Sequence, residues 1–370
     1  MVFGNNPDVG ALSLRPCSLT QGVNVDRREF CRFLGVCGMV ACTGSLSGCA
    51  RALEWSEAQH ARIVTREFGA GPAAVGATGS PDATAGADAT ASATASTTPA
   101  PPAFPDLAVT TGDDPAANTR LAVEMLGGMG RFVKRGQRVV IKPNILTARE
   151  PKFGVTTNPA AVAAVVSMCW DAGARSVTVF DRPTAPARQA YTVSGIQDAV
   201  RKAGGDTKIL SDRDFERIAI PKGRVLTSWP LLVDVFDADV VINMPCAKTH
   251  GLAGLTLSMK NLMGVMGGTR GIIHQEFTQK IVDVNSLIKP HLTVLDAYRI
   301  LFRNGPTGGG MQDVRMGRTC VAGTSQVSVD AYGASLFGMP PSALEYVVSA
   351  AEQGLGVADL SRLRIEKRSA

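Results

Sequence analysis

The signatures by which many enzymes announce themselves are missing from this chain. It has no Gly-x-Ser-x-Gly elbow, no His-Glu-x-x-His and no Walker loop, so serine-hydrolase, zincin and P-loop mechanisms lack their residues. Cysteine is scarce beyond the N-terminus. Five of the eight cysteines lie at or before Cys49, leaving Cys169, Cys246 and Cys320 widely spaced. Such a trio makes neither a CxxC metal pair nor a disulfide framework, although a single bridge among them stays open. Long apolar runs are also absent, since the uncharged stretch 33–48 is rich in Gly, Ser, Thr and Cys and falls short of the ~20 apolar residues of a membrane span. The formal charge of +6 is partly in the N-terminal segment and forms no basic stripe, which removes the electrostatic footprint of a nucleic-acid binder.

What is present begins with an export pattern. Asp26-Arg27-Arg28-Glu29-Phe30-Cys31-Arg32-Phe33-Leu34 resembles the twin-arginine signal, and the apolar segment after it reads as a signal h-region. That segment ends in Leu46-Ser47-Gly48-Cys49, for which two readings stand side by side. One is a bacterial lipobox, with Cys49 lipidated and first in the mature protein; the other is an ordinary cleavage site that ends in Cys. Residues 1–49 are therefore expected to be a twin-arginine signal with a lipobox-like end, engaging the twin-arginine export machinery and a membrane through a lipid on Cys49. The protein is then exported, periplasmic or in the cell envelope. Residues 50–105 are expected to be a linker, because the stretch 70–103 is almost entirely Ala, Thr, Gly, Ser and Pro and offers too little bulky apolar surface to offset its ordering entropy.

Residues 106–370 alternate between β-rich and helical patterns. Strands are predicted at 138–142, 175–180, 239–243, 292–295 and 319–322, with helices at 159–172, 195–203, 277–288, 326–337 and 342–353. This interleaving predicts an α/β domain with a mainly parallel sheet covered by helices on both faces.

Open α/β sheets bind ligands outside the carboxyl ends of their strands, and several predicted strands end in chemically useful residues. These are Lys142-Pro143-Asn144, Asp181-Arg182-Pro183, Asn243 followed by Lys248 and His250, and Asp296. Lys248 and His250 are expected on a loop after the buried strand, with Lys260 and Asn261 close behind. Between the first two strands, Thr156 and Thr157 offer hydroxyls at a helix start, where unpaired N–H groups attract anions. Together these residues describe a pocket for a phosphate or carboxylate, in which Lys248 and His250 act as acid and base and Lys142, Asn144, Thr156, Thr157, Lys260 and Asn261 bind substrate. Plainer readings accompany each: Thr157 or Asn158 as a helix cap, Lys142 as a solvated strand end, His250 as a loop histidine, Asp296 as a turn former. A divalent metal held by Asp181, His250, His274 and Asp296 is a further candidate, though the spacing matches no known ligand signature. The glycine-rich run 264–271 reads as a flexible lid or ligand-contacting loop, and His291 sits at the wrong end of its strand for the site.

These residues carry a resemblance. Val140-Ile141-Lys142-Pro143-Asn144, Gly154 with Thr156-Thr157-Asn158-Pro159, Ala172-Gly173-Ala174, Lys248-Thr249-His250-Gly251, Lys260-Asn261-Leu262 with Gly264, Asn304-Gly305-Pro306 and Val329-Asp330-Ala331 are seven blocks in order. In them the chain resembles the bacterial and archaeal family called domain of unknown function 362, over about 107–353. Many members of that family carry ferredoxin-like cysteine clusters. This chain lacks that module, and its three domain cysteines cannot complete a four-thiolate site, so an iron–sulfur cluster is not implied here. The Lys-Thr-His segment is also similar to the Lys-Pro-His segment of the lactate racemase family. That likeness implies cofactor-contacting or acid–base roles for Lys248 and His250 around a nickel-pincer cofactor. The chain departs from the family at Ala297, where Gly commonly follows the Asp, and at Phe302-Arg303, where an acidic residue commonly precedes Asn-Gly-Pro. An acidic ligand lost there weakens the metal reading and leaves an anion pocket intact.

Two functions follow as expectations. One is an extracytoplasmic, cofactor-dependent enzyme acting on a small anionic substrate. The other is a membrane-tethered protein that captures a small anion or metal without turning it over.

Overall fold

The computed structural model describes residues 63–69 and 104–370. The twin-arginine segment, Cys49 and the linker stretch 70–103 lie outside the described residues.

Along the chain, β1 (Leu107–Thr111) and α1 (Pro115–Met125) precede β2 (Arg138–Pro143), α2 (Pro159–Asp171) and β3 (Ser176–Asp181). Next come α3 (Ala187–Val193), α4 (Ile196–Lys202), β4 (Asp206–Ile209), the hairpin of β5 (Phe215–Ala219) and β6 (Ser228–Leu232), and the short α5 (Asp234–Asp237). The central segment holds β7 (Val240–Met244), β8 (Cys246–His250), β9 (Gly254–Thr256) and α6 (Ser258–Asn261). After it come α7 (Phe277–Leu287), β10 (Leu292–Leu301), β11 (Val314–Gly323), α8 (Gln326–Ser335), α9 (Glu345–Glu352) and β12 (Ile365–Ser369).

The main sheet runs β12-β1-β11-β10-β7-β2-β3-β4 and is mostly parallel, with β11 antiparallel to both of its neighbours. Strand side chains alternate between faces, and two apolar layers result. Val139 and Ile141 of β2 join Val240 and Ile242 of β7 beneath α1, α2, α3 and α4, whereas Val140 and Val241 point to the opposite layer with α7, α8 and α9. The mainly parallel, doubly covered sheet expected from the alternation is the one observed.

Chain order reverses at the β2–β7 boundary. From β2 the chain proceeds outward through β3 and β4, and from β7 it proceeds the other way to β10. The register pairs Lys142 with Asn243 across this boundary, so both residues stand at the carboxyl ends beside a topological switch point, where such sheets leave a crevice. Helix α2 is fixed at both ends by local chemistry. Asn158 accepts the Ala160 N–H at 3.0 Å, Pro159 occupies the first turn, and Gly173 follows the helix with φ 86°, a left-handed conformation glycine adopts without a Cβ penalty.

Three expectations change. Lys248 and His250 lie on a strand, β8, rather than a loop, because Cys246–His250 pairs in parallel with β10 and antiparallel with β9. A lysine in a buried strand defies its usual propensity; here long-range hydrogen bonds satisfy Lys248, and the local N–H groups of Leu252 and Ala253 serve His250. The span 50–105 is not all linker. Val64 bridges Ile218 of β5, Arg66 pairs with Glu216 at 2.9 Å and Asp237 at 2.8 Å, and Phe68 packs edge-on against Phe236. Of the two readings of the run 264–271, the ligand-contacting one fits and the lid does not: Gly264, Val265, Met266 and Gly267 are buried, Arg270–His274 forms a 3-10 turn, and Gly264, Arg270 and Gly271 line a cavity. Cys169, Cys246 and Cys320 are all free and buried, so the bridge left open by the sequence is absent among the described residues.

Candidate active site

Strand β2 delivers Lys142 and, just past its end, Asn144; β3 delivers Asp181 and, just past its end, Arg182; β8 delivers Lys248 and His250; α6 delivers Lys260 and Asn261. All line one cavity of about 300 Å3, together with Thr184, Thr256, Gly264, Arg270 and His274. Pro306, Thr307, Leu146, Met263 and Gly271 complete its wall.

Lys142 Nζ lies 2.9 Å from Asp181 Oδ1 and donates to Asn261 Oδ1 and the Pro143 carbonyl, both at 2.8 Å. Burial lowers its pKa, with the Asp181 carboxylate acting in the opposite direction. Asn261 ties the floor together: its Oδ1 also accepts from Asn144 Nδ2 at 2.9 Å, and its Nδ2 donates to Asn243 Oδ1 at 2.7 Å. Lys248 is fully buried and donates to Asn144 Oδ1 at 2.8 Å and to the Val155 carbonyl. Burial lowers its pKa as well.

Helix α6 holds Lys260 and Asn261 in place because Asp330 of α8 accepts the Ser258 N–H at 2.6 Å and the Met259 N–H at 3.0 Å. A carboxylate on the first N–H groups of a helical turn satisfies donors that have no partner within the turn. Lys260 Nζ contacts His274 Nε2 at 3.1 Å and Met263 Sδ at 3.2 Å. Its pKa is pushed down to about 7, by burial first and then by the neighbouring Lys248 and Arg270 cations.

The two histidines differ in tautomer. His250 Nδ1 accepts the backbone N–H groups of Leu252 and Ala253 at 3.1 and 3.2 Å, so the neutral ring carries its proton on Nε2. Burial, followed by the neighbouring Lys260, holds its pKa down to about 3. His274 Nδ1 faces the Gly271 carbonyl at 3.1 Å. That carbonyl can only accept, which leaves the Nε2 lone pair to receive Lys260. The rings stack at 5.4 Å.

The four-residue metal site is not assembled. Asp181 is engaged by Lys142 and by the backbone N–H groups of Ile145 and Arg182. Asp296 lies outside the cavity lining and accepts from the Asn158 N–H at 2.6 Å and the Tyr298 N–H at 3.0 Å. Among the described residues, no three His, Cys, Asp or Glu side chains converge as a metal cluster. The residues present do not fit a nickel-pincer group in the manner the lactate racemase likeness implies. His250 offers an N–H rather than a lone pair, and Lys248 Nζ already donates to the Asn144 and Val155 oxygens, which leaves a single N–H for the cavity.

Thr156 and Thr157 are likewise not substrate contacts. Thr157 Oγ1 accepts the Asn144 N–H at 2.8 Å and donates to the Met244 carbonyl at 2.7 Å, which staples the ends of β2 and β7. Thr156 is buried away from the cavity lining, with a hydroxyl that has no partner among the described residues. The other expected site residues, Lys142, Asn144, Lys248, His250, Lys260 and Asn261, are brought together. His291 is structural, as its place in the sequence indicates: Nδ1 accepts the Val241 N–H at 3.1 Å.

Several site residues escaped the sequence. Thr256 lines the cavity with a hydroxyl that has no partner among the described residues, and Asp330 supports it from behind, whereas Arg182 and Arg270, which also line it, stand in the sequence only as part of a strand-end block and a glycine-rich run. Asp330 sits in the Val-Asp-Ala block, but nothing in that block says which backbone it caps. Gly264 is required because an added Cβ would fall 1.9 Å from Asp181 Oδ1 and 2.6 Å from Lys142 Nζ. Gly305 approaches β8 so closely that a Cβ would meet the Thr249 carbonyl at 1.9 Å.

Comparison with known proteins agrees with these blocks. The profile of the domain of unknown function 362 (DUF362) matches residues 139–335, more than half of the chain. The chain belongs to this family. Within DUF362, the blocks Lys-Pro-Asn, Lys-Thr-His and Lys-Asn-Leu thus converge on one cavity in this member, and Val-Asp-Ala supports it from behind. A thylakoid-associated protein of Synechocystis sp. is 33% identical over 212 residues, covering 54% of this chain and 63% of that protein. The chain therefore spans under two thirds of that relative. Among solved structures, lactate racemase apoprotein from Thermoanaerobacterium thermosaccharolyticum overlaps with a TM-score of 0.40 at 11% identity, covering 61% of this chain and 56% of its own. A structural-genomics protein from Thermotoga maritima overlaps with a TM-score of 0.32 at 12% identity, covering 50% and 51%. At these scores the overlap carries no functional argument.

Proposed function

We propose that this DUF362 domain captures a small anion, carboxylate or phosphate, in the cavity at the β2–β7 boundary, as an exported protein tethered to a membrane. One observation carries the reading. Five cationic side chains, Lys142, Arg182, Lys248, Lys260 and Arg270, line the cavity, and the single lining carboxylate, Asp181, is already paired. Cations held in a partly dry cleft attract anions far more strongly than the same charges in water. The Nε2–H of His250 and the hydroxyl of Thr256 add neutral donors. Export and tethering are supported by Arg27-Arg28 and by Leu46-Ser47-Gly48-Cys49.

Calorimetric titration with lactate and with inorganic phosphate tests the reading. Binding is expected, weakening with salt, and Arg270→Gln is expected to reduce it by about 10- to 100-fold, the range of ~1.5–3 kcal/mol for a lost charge-assisted hydrogen bond. Absence of binding to either anion at millimolar concentration overturns it.

A further inference from the structure

Lys260 differs from the two lysines beside it. Lys142 has a carboxylate, an amide oxygen and a carbonyl around its ammonium, and Lys248 has an amide oxygen and a carbonyl. Lys260 Nζ has no oxygen acceptor among the described residues. Its neighbours are the His274 Nε2 lone pair, the Met263 thioether and, 4.7 Å away, the face of Phe277. The other cations of the cavity repel a proton on this nitrogen, and the apolar contacts do little to hold one. A lysine in such surroundings is a nucleophile once it has given up its proton.

We propose that Lys260 forms an imine with a small 2-oxo carboxylate bound in the cavity, with His274 as the base that receives the proton shed by its amine. The inference rests on the anion-binding reading and adds a carbonyl to the ligand it describes. The substrate carboxylate takes the place of the anion among Lys248, Arg182 and Arg270, leaving its C2 carbonyl for Nζ.

The step balances without any redox partner. The neutral Nζ lone pair forms the C–N bond to C2 while the carbonyl π pair moves to oxygen. His274 Nε2 accepts a proton from nitrogen and returns it to the oxygen to give the carbinolamine, and the second amine proton follows the same route to the departing hydroxyl, so that water leaves and the C=N bond remains. Amine and ketone are thereby converted to imine and water. The geometry of His274 suits the role because Nδ1–H is fixed on the Gly271 carbonyl, which turns the basic nitrogen toward Lys260.

The test is reductive trapping on the full chain. Protein incubated with pyruvate and then reduced with borohydride is expected to gain one reduced pyruvyl group, mapped by peptide mass spectrometry to Lys260. Labelling should be half-maximal near neutral pH, in keeping with a pKa of about 7, and should be blocked by lactate, which has the same charge but no carbonyl. Lys260→Arg, which keeps the cation, and Lys260→Met are each expected to abolish the adduct; circular dichroism identifies any variant that has failed to fold, and either folded variant suffices. The half-exposed Lys152 should remain unlabelled under the same conditions. Lactate binding without a pyruvate adduct overturns the imine and leaves the anion cavity standing. An adduct that persists in Lys260→Arg also overturns it, and failure of pyruvate, lactate and phosphate alike overturns both readings.

Discussion

Lys142 and Asp181 form an ion pair at 2.9 Å in which the lysine side chain is 1% and the aspartate side chain 5% exposed, and the backbone of Gly264 closes directly over it. Buried pairs of this kind contribute little net stability when intact, but breaking one leaves an uncompensated charge in a dry setting. The surrounding hydrogen bonds are what make the pair tolerable: Asn261 and the Pro143 carbonyl serve the lysine, and the N–H groups of Ile145 and Arg182 serve the aspartate.

Asp181→Asn is accordingly expected to destabilise the domain by ~3–5 kcal/mol, and Gly264→Ala by a comparable amount, because its Cβ has no room. Thermal and denaturant unfolding of both variants measures this. A Gly264→Ala midpoint within a degree or two of the wild type would show that the close approach over Lys142 is not required.

Lys260 gives the domain an alkaline dependence of defined sign. Its folded pKa is about 7 against an ordinary 10.5, so between those values the unfolded chain holds more protons on this group, and stability rises with pH across the window. Below about pH 7 the full cost of burying the charge is present. The thermal midpoint of the wild type is expected to gain on that of Lys260→Met as pH climbs from 7 toward 10, and parallel curves would contradict the assignment. Over the same range lactate affinity should fall as one cation is lost, and in Lys260→Met the fall should be smaller.

Asp296 and Asp330 act with the opposite sign at lower pH. Burial raises their pKa values to about 6 and about 7 from 3.8, so the folded state holds the extra protons and stability falls as pH rises through that window. Asp296→Asn should flatten the decline in thermal midpoint between about pH 4 and 6 while leaving anion affinity little changed, since Asp296 lies outside the cavity. A large loss of lactate binding in that variant would restore it to the site.

His250→Ala removes an N–H donor from the cavity and an acceptor from the Leu252 and Ala253 amides. Anion affinity should drop by up to about tenfold, the worth of a neutral hydrogen bond of ~1 kcal/mol. Metal content measured on protein from the exported fraction should be the same as in the wild type. A stoichiometric metal that disappears with His250 would reinstate the histidine as a ligand.

The export proposal is tested apart from the cavity. Cys49→Ala is expected to release the protein from membranes on fractionation, and Arg27→Lys combined with Arg28→Lys is expected to stop export. Unchanged membrane association refutes the lipid, and surviving export refutes the twin-arginine route.

The sequence by itself determined the α/β alternation and most of the cavity residues, because both are written locally. Val139, Val140 and Ile141 alternate between the two faces of β2, Asn158 and Pro159 start α2 with their own side chains, and Lys142, Asp181 and Asn243 are the polar residues that end apolar runs. Only the tertiary structure decided how these groups are used. Whether Thr157 meets a ligand or the Met244 carbonyl, and whether His250 presents a lone pair or a proton, depends on partners up to 87 residues away in the chain. Arg270 and Asp330 have no local mark of function, since the one lies in a glycine run and the other in a helix. Asp330 gains its role from the long-range hydrogen bonds it accepts from Ser258 and Met259 of α6, and Arg270 from the turn that brings its side chain to the cavity and to the Met263 carbonyl. Hydrogen bonding is directional and short in range, so sequence spacing shows which side chains can act, and the fold alone determines which donor faces which acceptor.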